Sequence, residues 1–247
     1  MAGMATALFI LPQQGAAQTD IELFPSPTRS LGFTALLGAR TGPGYPGDAG
    51  MVARPDFRFG FLSFRSRDVN FGAVDVEDVD NDPFARPSGF AVGASLGFAP
   101  ARQSSDFSEL VGLDDVDASI ELGIGAAYVA RNLELRASAR YGLTGHNSWL
   151  GDVRAYYVVE PTDGLVVRAG PRLEIGSDRY AQTYFGVSEG EALASAFPAY
   201  DANGGLISAG VDLIATYEVA DDWWIEFGAS WDRFMGDAAN SPIVQHL

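Results

Sequence analysis

With 47% hydrophobic but only 19% charged residues over 247 positions, the chain carries less charge than an ordinary water-facing surface of its size, so part of that surface is expected to face something other than water. A net charge of −16, with 32 acidic residues against 16 basic ones, excludes the basic stripe that a nucleic-acid partner requires. The absence of cysteine excludes disulfides and thiolate metal sites.

The chain opens on a short apolar run, Met4 to Leu11 (MATALFIL), followed by the small residues Gly15-Ala16-Ala17. This pattern predicts an export signal over residues 1–17, cleaved after Ala17, although no Lys or Arg precedes Arg29 to supply its charged start. An extension over 18–30 and a single domain over 31–247 follow. No later segment reaches the 18 or so consecutive apolar residues of a spanning helix, so any membrane crossing must use strands.

From residue 31 onward the dominant signal is a period of two. It is weaker over Leu31 to Arg40, Arg54 to Phe64, Asp68 to Asp75, Gly89 to Ala99 and Ala118 to Val129. It is clear over Asn132 to Leu143, where Leu133, Leu135, Ala137, Ala139 and Tyr141 oppose Glu134, Arg136, Ser138 and Arg140. Three further runs, starting at Asp152, Leu165 and Ile207, repeat the scheme, and a last run alternates from Trp223 to Asp232. These ten strands predict an all-β, antiparallel transmembrane barrel.

Two details favour a membrane barrel over a soluble sandwich. Tyr128, Tyr141, Tyr157, Tyr217, Trp223 and Trp231 fall near the ends of their apolar faces, as an aromatic girdle would. The opposite faces mix both signs of charge, and Arg136, Arg140, Arg154, Arg168 and Arg172 are expected to pair in the lumen with acids that include Glu134, Glu174 and Asp212. Short turns near 65, 130–131, 161–164 and 220–221 alternate with long loops at 41–53, 100–117, 143–149 and 177–203. A further long loop at 76–88 breaks the alternation and suggests a hidden strand. The tenth strand lacks a closing partner before Leu247, and adding one hidden and one missing strand gives an expected twelve.

Candidate chemistry is sparse. Only His146 and His246 exist, so a histidine-rich metal site is excluded, and Ser148 beside His146 lacks a G-x-S-x-G elbow. Acidic runs at Asp75 to Asp82 and Asp114 to Asp117 lack the spacing of a calcium loop. No catalytic, cofactor or metal residue is assigned. Within the 177–203 loop, Ser188 and Glu191 have the spacing of a capping box, predicting a short helix over residues 191–196 that Pro198 stops. Its apolar and aromatic neighbours Tyr184, Phe185, Val187, Leu193, Phe197 and Tyr200 serve either as a lid on the barrel rim or as a partner-docking loop.

Two segments, Tyr180 to Ala202 (YAQTYFGVSEGEALASAFPAYDA) and Met235 to Val244 (MGDAANSPIV), resemble the MltA-interacting protein family, also called MipA/OmpV. Gly112 to Glu121, Tyr141 to His146 and Gly170 to Leu173 add to the resemblance, which spans most of residues 30–244. The family's final strand would begin just beyond Leu247. The resemblance implies a non-enzymatic barrel of the outer membrane, in contact with lipid and lipopolysaccharide, that scaffolds a lytic transglycosylase and a murein synthase. A narrow channel or an osmotic-response or adhesion barrel is the alternative, and a hydrolase the least favoured reading.

Overall fold

The computed structural model describes residues 2–10, 32–42, 45–46, 48, 52–62, 64–65, 69–76, 89–220 and 223–245. Its strands are β1 (Ala2–Ile10), β2 (Gly32–Gly42), β3 (Val52–Leu62), β4 (Phe64–Arg65), β5 (Val69–Val76), β6 (Gly89–Ala99), β7 (Ser119–Ala130), β8 (Leu133–Gly142), β9 (Trp149–Thr162), β10 (Leu165–Gly176), β11 (Gly205–Ala220) and β12 (Trp223–Phe234). They form a single sheet in the order β3-β2-β1-β12-β11-β10-β9-β8-β7-β6-β5-β4. The two-residue β4 follows directly on β3 and pairs with β5, and β3 itself runs alongside β5, so the ends of the sheet meet. From β6 through β12 every neighbour is antiparallel and consecutive in sequence.

This wall is inside out relative to a water-soluble protein. Ile124, Tyr157, Leu213 and Phe227 point outward with 67, 63, 52 and 54% of their surface exposed, whereas Glu134 and Arg168 point inward and keep 2 and 4%. In water such a surface would be an aggregation hazard, whereas in lipid it is the required one. Aromatic residues bound the apolar band at both ends: Phe98, Trp149 and Trp231 toward the long loops, and Phe90, Tyr128, Tyr157, Tyr217 and Trp223 toward the short turns. From Phe98 to Phe90 is roughly 27 Å along the strand at ~3.4 Å per residue, or about 20 Å along the barrel axis at a ~40° tilt, close to the apolar height of outer-membrane barrels. The Asp163-Gly164 turn between β9 and β10 is tight, and Gly164 takes the positive φ of 72° that such a turn demands.

All ten predicted strands are present, and the count of twelve is reached by a different route. Ala2–Ile10, which takes in most of the Met4 to Leu11 run expected as the apolar core of an export signal, lies between β12 and β2 and occupies the position beside the tenth predicted strand that the sequence leaves empty. A run of nine small and apolar residues suits either setting. The predicted cleavage point and the 18–30 extension lie outside the described residues, as does the hidden strand sought between Val76 and Ser88. One pairing departs from the antiparallel expectation: β5 runs parallel to β6. A second departure is local. A register shift in the β10–β11 pairing, where Glu174 faces Ser208 but Ile175 faces Leu206, turns Ile207 inward, although strict alternation puts it on the apolar outer face.

Candidate functional site: a charge-lined lumen under a cap

Because successive wall strands are antiparallel, the connections 100–118, 143–148 and 177–204 and the stretch after β12 all emerge at one end of the barrel. Inward residues below them form clusters of ion pairs. Arg140 Nε sits 3.1 Å from Glu121 Oε2, and its Nη1 lies 3.0 Å from Asp152 and 2.6 Å from Ser138 Oγ. Glu134 pairs with Arg136 and, at 3.3 Å, with Arg168. Arg172 pairs with Asp212 at 3.3 Å and bidentately with Asp232, and Tyr156 donates its hydroxyl to Asp212 at 2.9 Å.

Register explains why the acids are needed. Arg136, Arg154 and Arg172 lie directly opposite one another across β8, β9 and β10, a like-charge row that would repel without the carboxylates around it. Toward the short turns the lumen changes character. Tyr156, Val158 and Val166 are buried against one another with Ile214 beside them, an apolar stopper on the inner side of the wall.

Seven of the eight residues expected in the lumen take part in these and neighbouring ion pairs. Glu174 differs, since it accepts the Tyr180 hydroxyl at 2.9 Å rather than an arginine. Glu121 is the chief member the sequence reading omitted, and its signal was present: Ile120, Leu122 and Ile124 alternate outward and leave Glu121 facing in.

Above these pairs lies His146. Gly145 and Asn147 take positive φ values of 61° and 45°, and the turn they make brings His146 and Ser148 together. Ser148 Oγ is 2.6 Å from His146 Nδ1, and His146 Nε2 is 3.3 Å from Glu121 Oε1. The spacing is tighter than adjacent loop positions suggested and has the connectivity of a serine relay. Both side chains are nonetheless buried, and Tyr180 and Tyr184 pack their rings 5.3 and 5.9 Å from the imidazole. Space for the cluster is built in: a Cβ on Gly142 would lie 2.4 Å from His146, and one on Gly97 would lie 2.3 Å from Glu121. Its role here is to tie the 143–148 loop to the wall. Among the described residues no cluster of His, Asp and Glu could hold a metal ion.

The cap is built from α1 (Asp178–Phe185), α2 (Glu189–Ala194), α3 (Gly236–Asn240), α4 (Pro242–Gln245) and the loop 100–118. The predicted capping box is present, with Ser188 accepting from Glu191 N and Glu191 from Ser188 N. The helix ends at Ala194, earlier than the Pro198 stop foresaw, and α1, α3 and α4 lacked a sequence signal of comparable strength. Tyr45, Leu110, Leu113, Val187, Phe197 and Ile243 form one small core, and Ala181, Phe185, Ala202, Ile207 and Ala238 another. Full burial of each large member contributes about 1.5–3 kcal/mol.

Arg102 joins the loop to α1 by donating to the Tyr184 carbonyl at 3.1 Å, a favourable place for a cation at a helix C-terminus. Burial lowers the Arg102 pKa while Tyr184, Glu191 and Asp115 oppose that shift, and burial together with the Glu121 charge pushes the Tyr184 phenol up to about 12.

The residues considered for docking accordingly divide. Phe185, Val187 and Phe197 are buried in the cap, Tyr184 and Tyr200 are half-buried, and Leu193 alone stands free at 92% exposure. Most of their surface is packed within the cap.

An apolar outer belt, a lumen of paired charges and long loops gathered at one end define an outer-membrane β-barrel protein. The description "MltA-interacting protein MipA" matches residues 35–247, and the chain belongs to that family. Outer membrane protein Omp26La of Vibrio anguillarum is 30% identical over 136 residues, which cover 54% of this chain and 51% of that protein, so the match spans about half the length of the relative. Among solved structures, Pseudomonas aeruginosa OccK8 (OprE) aligns over 98% of this chain and 72% of that one, with 14% identity and a TM-score of 0.26, a likeness too remote to transfer any detail. The protein resides in the outer membrane.

Proposed function

We propose that this protein is a non-enzymatic, non-conducting barrel that acts as a membrane-held interaction partner of the murein machinery, engaging a lytic transglycosylase and through it a murein synthase. The observation that carries the reading is how fully charge is paired on the inner face of β7 to β12. Arg140, Arg168 and Arg172 are each committed to carboxylates, the apolar residues around Tyr156 pack on the inner wall below them, and the cap packs at the long-loop end. A wall so paired suits a barrel that acts through its surfaces. The family description, which names an interaction with MltA, supplies the partner class.

Outer-membrane barrels place long loops outside and short turns in the periplasm, so a murein enzyme would meet the rim at Arg131, Asp163 and Glu218 rather than the cap. The test is direct binding of a purified lytic transglycosylase to the full chain in lipid nanodiscs. Saturable binding from the short-turn side is expected, and no binding at micromolar concentrations would overturn the reading. The narrow-channel alternative draws on Arg154 and Arg172, whose side chains keep 21 and 25% exposure to the interior. Discrete conductance steps in planar bilayers would establish it in place of the scaffold.

A further inference from the structure

We propose that the cap is an acid-labile closure, released when Asp115, Glu191 and Asp237 take up protons, while the barrel wall beneath it stays folded. The contrast lies in how the two parts are joined. Wall strands share long ladders, such as the eleven Cα partners of β6 and β7, whereas among the described residues the cap's β-bridges are two isolated ones, Arg102 with Val116 and Val187 with Tyr200. Beside the two small apolar cores, carboxylates supply several of the cap's polar ties. Glu191 Oε1 accepts the Asp114 N–H at 2.9 Å and its Oε2 the Ser188 N–H at 2.8 Å, tying α2 to a loop 77 residues away. Asp115 Oδ1 accepts the Ser104 N–H at 2.7 Å and the Ser104 hydroxyl at 2.9 Å. Asp237 Oδ2 accepts the Asn203 N–H at 2.9 Å and its side-chain amide at 2.8 Å, joining α3 to the end of the 177–204 loop.

An ionised carboxylate is an acceptor only, so protonation removes the charge that strengthens these bonds, and at Glu191, where both oxygens accept, it also sets a hydrogen where a donor already points. The groups around each carboxylate set the direction. Ser104 holds Asp115 below the usual carboxylate range, helped by Arg102. Burial pushes Glu191 up, but the donors of Asp114 and Ser188 and the Arg102 charge outweigh it. Asn203 lowers Asp237, whose backbone carbonyl also accepts the Tyr200 hydroxyl. Carboxyls held low when folded stabilise the closure above their ordinary range of about 4 and lose that contribution as the pH falls through the lowered values. Arg102 amplifies the release, because protonating both Glu191 and Asp115 removes the negative charges that offset its burial.

Hydrogen exchange of the full chain in lipid nanodiscs, corrected for the intrinsic pH dependence of exchange, tests the proposal. Protection at the Val187, Tyr200, Ala239 and Val244 amides is expected to fall below about pH 4, by at most about tenfold per pH unit for each carboxyl titrated, while amides of β7 to β12 stay protected. Glu191→Gln and Asp237→Asn should loosen the cap at neutral pH and flatten its response. Asp115→Asn, at an exposed position that the fold tolerates, should remove one proton from the slope. Cap protection that is flat to pH 3, a slope unchanged by all three substitutions, or simultaneous loss of cap and wall would overturn it.

Discussion

Ser241 donates its hydroxyl to the Phe185 carbonyl at 2.6 Å, closing a contact between two segments 56 residues apart in the chain. Both belong to the stretches most specific to the family, so what reads as two motifs in sequence is one packed unit, with Phe185 also stacked edge-on against Phe234 at 5.3 Å. Ser241 is fully buried and accepts the Ile243 N–H as well. Ser241→Ala leaves the Phe185 carbonyl without its donor, at a cost of about 1–3 kcal/mol. Faster exchange of the Phe234–Gln245 amides with an unchanged wall is the expected result, and wild-type exchange there would show that the apolar contacts suffice without the bond.

Gly112 marks where the 100–118 loop meets α2. Its φ of +96° is left-handed, and a Cβ there would stand 2.2 Å from the Ala194 carbonyl. Gly112→Ala therefore has both a strained backbone and a collision with main chain that cannot swing aside. Limited proteolysis of protein embedded in vesicles should cut this variant within 100–118 at protease levels that spare the wild type. Equal resistance would mean the loop has room the structure does not show.

How much of this was legible beforehand follows from which physics set each part. Period-two alternation dictates which side chains face lipid, so Leu213 out and Asp212 in could be read directly, as could the arginines of the lumen. Pairing choices were less accessible. Glu174 shared the inner face of Arg172 but received its partner, Tyr180, from a helix that nothing in the strand pattern announces. Ile207 was misplaced because a register shift is a property of two strands together. In the cap, Phe185, Val187 and Phe197 have the same composition whether they pack or dock. The arrival of Leu110 and Ile243 beside Val187 and Phe197, and of Ile207 and Ala238 beside Phe185, decides that they pack.

The lipid-facing wall permits a paired test. Leu213 is 52% exposed in the middle of β11, and Leu193 is 92% exposed on the cap. In a water-soluble protein, arginine at either exposed site would be tolerated. In a membrane barrel, Leu213→Arg faces hydrocarbon and costs about 2–4 kcal/mol, whereas Leu193→Arg faces water and costs within about 0.5 kcal/mol. Urea titrations of folding into phospholipid vesicles should separate the two variants, and similar midpoints would contradict the assignment of the outer face.

Residues 2–10 take part in the full chain as β1, yet the run from Met4 to the small residues at Ala16-Ala17 retains the pattern of an export signal. We expect the protein recovered from outer membranes to begin at Gln18, measured by intact mass. Recovery of the unprocessed chain, with cysteine-scanning cross-links between Gly3 and Trp231 as their register predicts, would instead make β1 a permanent strand.

The lumen pairs should behave as a network. Arg172→Gln strands Asp212 and Asp232 on the inner wall, and breaking a buried pair in this way costs about 3–5 kcal/mol at full burial. Because the Arg172 side chain keeps 25% exposure and Asp232 20%, interior water screens the loss, and about 2 kcal/mol is the expected fall in stability. Replacing both partners, Arg172→Gln with Asp232→Asn, should cost less than the sum of the single changes, since Asp232 is then no longer left as an unpaired charge and only Asp212 stays stranded. Simple additivity in vesicle-based unfolding would mean that the two side chains are solvated independently and that the interior is open to water. That outcome would favour the channel over the non-conducting barrel, linking a stability measurement on two lumen residues directly to the choice between the two functional readings.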